Sequence, residues 1–195
     1  NDETKNIFKQ EKKIDSKAYL LYLEGKKLSD NITESDSLNK SKYKLLQAIE
    51  LDNNFSEAHA VLGMTLSLLG DNEDAEEYLE LGVELAEEQD DIESLSLLYN
   101  YMGIYYRKIL NIRKSIKFFE KSLVYQKKID DRLMQANIYN NMSTCYTIQG
   151  DNDKAINLIS RAESIYKNLN EEKKLANSYG NIGNIYANMK DLDKA

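Results

Sequence analysis

Apolar residues in this chain recur in pairs of helical faces, each pair divided by a turn signal. Tyr139, Met142, Ser143 and Tyr146 are spaced by three and four, which places them on one face of a helix. Gly150 predicts the end of that helix, and Asp151, Asn152 and Asp153 supply turn and N-cap chemistry for a second. The second helix carries Ala155, Leu158, Ile159 and Ala162, again on one face. The result is a helical hairpin whose small residues let the two helices approach closely.

The hairpin is copied along the chain. Its first-helix small residue recurs as Gly63, Gly103, Ser143 and Gly183, in steps of 40 residues. Its second-helix small residue recurs as Ala75, Ser115, Ala155 and Ala195, always 12 residues after its partner. A looser copy runs from Leu21 and Gly25 through Ser41, Leu45 and Ala48. Its spacing of 16 places four extra residues in the turn around Asn31 to Ser37. A fixed period of this length marks a solenoid, in which each unit packs only on its neighbours.

The pattern resembles the tetratricopeptide repeat: an aromatic, Leu-Gly and Tyr on the first helix, then Ala, an aromatic and Ala on the second. Tyr139, Met142, Ser143, Tyr146, Ala155, Ile159 and Ala162 fill it once, and Tyr99, Met102, Gly103, Tyr106, Ser115, Phe119 and Ser122 fill it in the copy before. His59, Leu62, Gly63, Leu66, Ala75, Leu79 and Gly82 fill the second copy; Tyr179, Ile182, Gly183, Tyr186 and Ala195 fill the last. The resemblance implies an all-α, right-handed superhelical solenoid of antiparallel helix hairpins over residues 16–195. The hairpins are expected at about 16–54, 56–89, 91–129, 131–169 and 171–195, the last incomplete, behind a linker or frayed helix at 1–15. The family's period is about 34 residues. The surplus falls between hairpins, in polar, acid-rich stretches that suit longer helices with acidic first turns.

The resemblance also implies a non-catalytic module that binds a protein or peptide. Forty-residue versions resemble those of bacterial signalling proteins. The alternative is therefore the sensory or regulatory region of a larger signalling enzyme or transcription regulator, such as an adenylyl cyclase, a kinase or a winged-helix protein. The chain opens without an initiator Met and is expected to be a fragment.

Composition narrows the partners. Net charge is −7, which argues against a nucleic acid or an anionic membrane as the main partner. No apolar run approaches the ~20 residues of a membrane span. A single cysteine excludes an intramolecular disulfide framework. The compartment expected is cytoplasmic, or periplasmic for a processed exported fragment. From Asp71 to Glu93 there are 12 acids and no base, whereas the third hairpin is rich in Lys and Arg. These read as solvated faces that attract across the stack; a steering dipole is the sharper alternative.

No catalytic constellation is expected. His59 stands where the family packs an aromatic, and Cys145 lies on a packed face, so both read as core residues. One His and one Cys build no nitrogen–sulfur metal cluster, no Gly-rich phosphate loop occurs, and no cofactor is expected. The first-helix face opposite the hairpin seam is expected to line a concave groove. There it carries Asn100 and Arg107, then Asn137, Asn140, Asn141 and Thr144, then Asn177, Asn181, Asn184 and Asn188. A carboxamide offers an acceptor and paired donors, so a ladder of them matches a peptide backbone. Asn is also a poor helix former, roughly 0.7 kcal/mol below Ala, which makes its repeated use inside helices notable. The competing account is composition, since 20 of the 195 residues are Asn. A further expected partner is a second copy of the chain, through the uncovered face of the last first-helix.

Overall fold

A computed structural model of the chain describes residues 14–30 and 35–192. They form a right-handed superhelical solenoid built from helices alone. The first hairpin pairs α1 (Ser16–Ser29) with α2 (Ser35–Leu51), and the second pairs α3 (Ser56–Leu69) with α4 (Asn72–Glu88). The third pairs α5 (Ile92–Lys108) with α6 (Ile112–Ile129), and the fourth α7 (Arg132–Gln149) with α8 (Asn152–Asn168). The last described element is α9 (Glu172–Leu192). Of the segment read as a linker or frayed helix, residues 1–13 lie outside the described residues. Ile14 packs on the core and the Asp15 carboxylate caps α1, accepting from the backbone of Lys17 and Ala18 at 2.9 Å each.

One conformational device ends six of these helices. Gly70, Asp90, Leu110, Asp130, Gly150 and Asn170 all have positive φ, and they stand 20 residues apart. A left-handed residue reverses the chain and lets the next N–H close over the helix end. Asn111 N–H reaches Tyr106 O at 2.8 Å, and Asp151 N–H reaches Tyr146 O at 3.0 Å. The residue that closes one helix then caps the next. Asp91 accepts from the Ser94 backbone (3.0 Å), Asn111 from Lys114 (3.2 Å) and Asp131 from Met134 (2.9 Å). Turns this short leave the surplus residues of the long period inside helices. An acid stands in the first turn of α5 and α9 but not of α7, where the capping Asp131 takes its place.

Within a hairpin the helices meet at the small residues. A Cβ on Gly103 would lie 2.5 Å from the Phe119 ring, and one on Gly63 would lie 2.7 Å from Leu79. Any side chain there forces the helices apart. Serines replace the family's Ala on α2 and α6 and use the proximity: Ser41 Oγ donates to Gly25 O (2.8 Å) and Ser115 Oγ to Gly103 O (2.7 Å). These bonds join residues that the 16- and 12-residue spacings equate.

Between hairpins, the odd-numbered helices contact one another, α1 on α3 on α5 on α7 on α9. Among the described residues no such contact joins the even-numbered helices. The odd set therefore lines the concave side and the even set splays over the convex side. α9 differs from the expected hairpin: it runs on through Lys190 and Asp191, which the period equates with Gly150 and Asp151. Lys190 lacks glycine's access to positive φ, so continued helix is the unstrained path. Ala195 lies outside the described residues. Among the described residues the seam face of α9 is uncovered, with Tyr179 and Tyr186 about half exposed and nothing within 4 Å of a Cβ at Gly183.

The acidic second hairpin is received mainly by tyrosines. Tyr99 Oη donates to Glu87 (3.0 Å), and Tyr105 Oη donates to Glu76 (3.2 Å) and to Asn72 O (3.0 Å). Tyr106 also donates to Glu76. Burial, and then the Glu76 carboxylate, pushes the Tyr105 phenol up to about 12, so it stays a donor. Lys114 Nζ donates to Tyr106 Oη (3.1 Å) and lies 4.5 Å from its ring centre. Direct attraction between the two charged faces includes a long ion pair, Lys114 to the half-buried Glu76 at 3.9 Å.

Leu110 is the one aliphatic residue among the six left-handed ends, with φ of 60° and 75% of its surface exposed. A Cβ in that conformation costs roughly 1–2 kcal/mol, and little packing offsets it here. Leu110→Gly should therefore raise stability by about 0.5–1 kcal/mol in urea unfolding, despite glycine's freer unfolded chain.

Candidate binding groove

Successive first-helix turns bring the expected groove residues to one side because their spacings of three and four keep them on one face. Between α5, α7 and α9 that side contains a cleft of about 300 Å³. Asn100 and Ile104 of α5 form one wall, and Met134, Asn137, Asn140 and Asn141 of α7 another. Lys174 and Asn177 of α9 complete it, with Tyr166 of α8 reaching in from behind.

Five of the ten expected residues, Asn100, Asn137, Asn140, Asn141 and Asn177, thus share one cleft. The rest fall outside it. Asn181 reaches across from α9, its Nδ2 donating to Asn140 Oδ1 at 3.0 Å. Thr144 turns its hydroxyl onto its own helix, to Asn140 O at 3.3 Å. Asn184 and Asn188 extend the stripe along α9 as exposed side chains. Arg107 is half-buried, and its Nε finds no hydrogen-bond partner among the described residues.

The amides are not equivalent. Asn137 Oδ1 accepts from Tyr166 Oη (2.9 Å) and Lys174 Nζ (3.1 Å). Burial, and then the Glu171 carboxylate, pushes the Tyr166 phenol up to about 12, which keeps that donor in place. Asn140 Oδ1 accepts from Asn181, and from Ser178 Oγ at 3.4 Å. These two carbonyls stitch one repeat to the next. The side chains of Asn141 and Asn177 make no hydrogen bond among the described residues, and both line the cleft. Asn100 is 4% exposed, and its Oδ1 is buried without a partner.

Reading the stripe one residue type at a time missed Met134, Tyr166 and Lys174. The period could have found Lys174, which stands 40 residues after Met134. Tyr166 comes from a second helix, so no first-helix pattern points to it.

The two residues weighed for catalysis are packed. Cys145 is fully buried beside Ser115 Oγ (3.2 Å), and burial pushes its thiol pKa up. His59 is 2% exposed, with Nε2 3.0 Å from Asn53 O and Nδ1 buried without a partner. Burial lowers its pKa, against the pull of the Asn53 carbonyl. No group of three or more His, Cys, Asp or Glu among the described residues is placed to hold a metal. None of the described helices is long and apolar enough to cross a membrane.

Fold and groove together define an α-solenoid repeat protein. A family model described as tetratricopeptide repeat matches residues 93–168 and 134–195, and a second of that description matches 44–77. The chain belongs to the tetratricopeptide repeat family, whose fold is typical of protein–protein interaction modules. No curated protein matches the sequence. Among solved structures it is similar to BtubC (BKLC) from P. vanneervenii, at 20% identity over 91% of this chain and 79% of that one, with a TM-score of 0.69. It is also similar to the signal transduction ATPase with numerous domains and a tetratricopeptide repeat sensor from Pyrococcus horikoshii. There the identity is 21% over 91% of this chain but 27% of that one, with a TM-score of 0.76. MamA matches at 18% identity over 79% of this chain and 81% of its own, with a TM-score of 0.59. At these identities the likeness is one of fold.

Two outcomes test this division of roles. Asn140→Ala should cost about 1 kcal/mol in urea unfolding, because it strands the Asn181 amide. Asn141→Ala should cost nothing and gain a few tenths of a kcal/mol from helix propensity. His59 should make the fold acid-sensitive. Its folded pKa lies below the ordinary 6.5, so as pH falls the unfolded chain takes up the proton first and stability is lost. The melting temperature should drop between about pH 7.5 and 5.5, above the range where carboxylates titrate, and drop less in His59→Gln.

Proposed function

We propose that this chain is a non-catalytic interaction module that holds a peptide or an extended segment of a partner protein along the concave side lined by α5, α7 and α9. The observation that carries the reading is the uncommitted amides of Asn141 and Asn177 in one cleft, with Asn184 and Asn188 continuing the exposed row along α9. An extended backbone presents alternating N–H and C=O groups, and each carboxamide can meet one of each. Such a ladder grips main chain and leaves selectivity to whatever side chain enters the cleft. Arg107 and Lys174 add positive charge to a groove in a chain that is otherwise acidic.

The test is selection of short random peptides displayed on phage against the full chain. Recovered peptides should bind the triple variant Asn141→Ala, Asn177→Ala, Asn184→Ala at least about tenfold more weakly, as expected for two or three lost hydrogen bonds. The convex-face variant Lys117→Ser, Val124→Ser should bind them as the wild type does. Binding untouched by the groove variant, or no peptide recovered, would count against the reading.

A further inference from the structure

The convex side carries charge that the groove does not use. An outward stripe on α4 runs Asp74, Glu77, Leu81, Glu84 and Glu88, spaced by three and four so that all share one face. The equivalent stripe on α6, 40 residues on, runs Lys114, Lys117, Lys121, Val124 and Lys128. All of these side chains are exposed. A flanking row repeats the contrast at Glu73 and Glu87 against Arg113 and Lys127, with Glu80 and Glu120 as its one like pair. The neighbouring helices are not segregated in this way. The same positions include Tyr43 and Gln47 on α2, and Asn157 and Ser164 on α8.

Packing within the chain leaves most of this charge unpaired. Among the described residues, Asp74, Glu77, Glu84, Glu88 and Lys117 make no ion pair. Lys114 reaches Glu76 only at 3.9 Å, and Lys121 and Lys128 lie over the rings of Tyr99 and Tyr125. Like charges three and four apart repel along a helix. Each stripe therefore strains its own helix until an opposite charge from outside the chain meets it.

The two stripes lie side by side, joined at Lys114 and Glu76, and α4 and α6 run in the same direction because each is antiparallel to the α5 between them. A partner of one sign is attracted by one stripe and repelled by the other. The surface that matches both is a copy of itself. A twofold axis along the helices, midway between α4 and α6, lays each α4 on the other copy's α6, parallel and in register. Asp74 of one copy then faces Lys114 of the other, Glu77 faces Lys117, and Glu88 faces Lys128, each pair made twice. Leu81 and Val124, 39% and 56% exposed, are the one aliphatic residue of each stripe and meet diagonally near the centre.

We propose that the outer faces of α4 and α6 form a self-complementary docking surface for a second copy of this chain, acidic helix against basic helix. It is independent of the groove reading, since the concave sides face away from the contact and both stay open. A contact two helices wide lies at the small end of specific interfaces, and exposed ion pairs are individually weak. The dimer is therefore reversible and held mainly at low salt.

Sedimentation equilibrium of the full chain tests it. At about 100 μM chain and low salt, the mass should rise from 22.5 kDa towards twice that value. The dissociation constant should increase at least about tenfold by ~0.5 M NaCl, where screening shortens the reach of charge to a few ångströms. Two variants isolate the surface: Glu77→Lys with Glu88→Lys, and Lys117→Glu with Lys128→Glu. All four positions are exposed, and circular dichroism should show their helix content unchanged. Each variant alone should stay monomeric, because the symmetry sets like charges against each other. An equimolar mixture of the two should regain a dimer, because every reversed charge again meets its opposite. A wild-type chain that stays monomeric, or a wild-type dimer indifferent to salt, would overturn the proposal without any altered protein. A dimer that survives in either variant would place the contact elsewhere, such as the uncovered face of α9, and overturn it too. So would two folded, monomeric variants that fail to combine on mixing.

Discussion

A residue in left-handed conformation sits at six helix ends, from Gly70 to Asn170, and the next residue is the N-cap or lead-in of the following helix. A turn of one such residue leaves almost no slack between helices. Each reversal therefore has nearly the same angle, and identical reversals every 20 residues accumulate into a superhelix. Aspartate and asparagine fill half of these positions because their short polar side chains tolerate positive φ better than other non-glycine residues do. The same tight turns hold the first helices close enough for Asn140 and Asn181, on different repeats, to bond directly.

The groove inherits its character from that closeness. Because α7 and α9 are neighbours on the concave side, some of the amides facing it are consumed in holding the repeats together. Asn137 and Asn140 use their carbonyl oxygens this way, and Tyr166 and Lys174 are drawn in as their partners. What is left over is the chemistry available to a ligand: the amides of Asn141 and Asn177. Structural and binding roles alternate along a single stripe, so the stripe cannot be treated as one functional unit.

A similar division governs the charges. The acids of α4 and the bases of α6 meet at Lys114 and Glu76, 3.9 Å apart, while the even-numbered helices otherwise splay apart. Tyrosines from α5 lie between them, donating hydroxyls to Glu76 and Glu87 while offering ring faces to Lys114 and Lys121. A phenol held protonated by burial can serve an anion at its tip and a cation at its face together. That explains why this seam is tyrosine-rich where the repeat pattern alone asks for fewer aromatics.

The sequence by itself determined the fold and its register. Gly63, Gly103, Ser143 and Gly183 at one spacing, with Ala75, Ser115 and Ala155 at another, leave helical hairpins in series as the arrangement that buries both faces. The hydrogen bonds from Ser41 to Gly25 and from Ser115 to Gly103 join residues that the two spacings pair. It also determined which helix face carries the asparagines, because a periodicity of three and four is a local property of the chain. Which of those amides remain available was decided only by the tertiary structure. Hydrogen-bond partners such as Tyr166, Lys174 and Asn181 lie 29 to 41 residues away and reach Asn137 and Asn140 only once the repeats have stacked. The unpaired oxygen of Asn100 is likewise invisible in one dimension. A polar atom becomes costly only when packing removes its water and supplies no substitute.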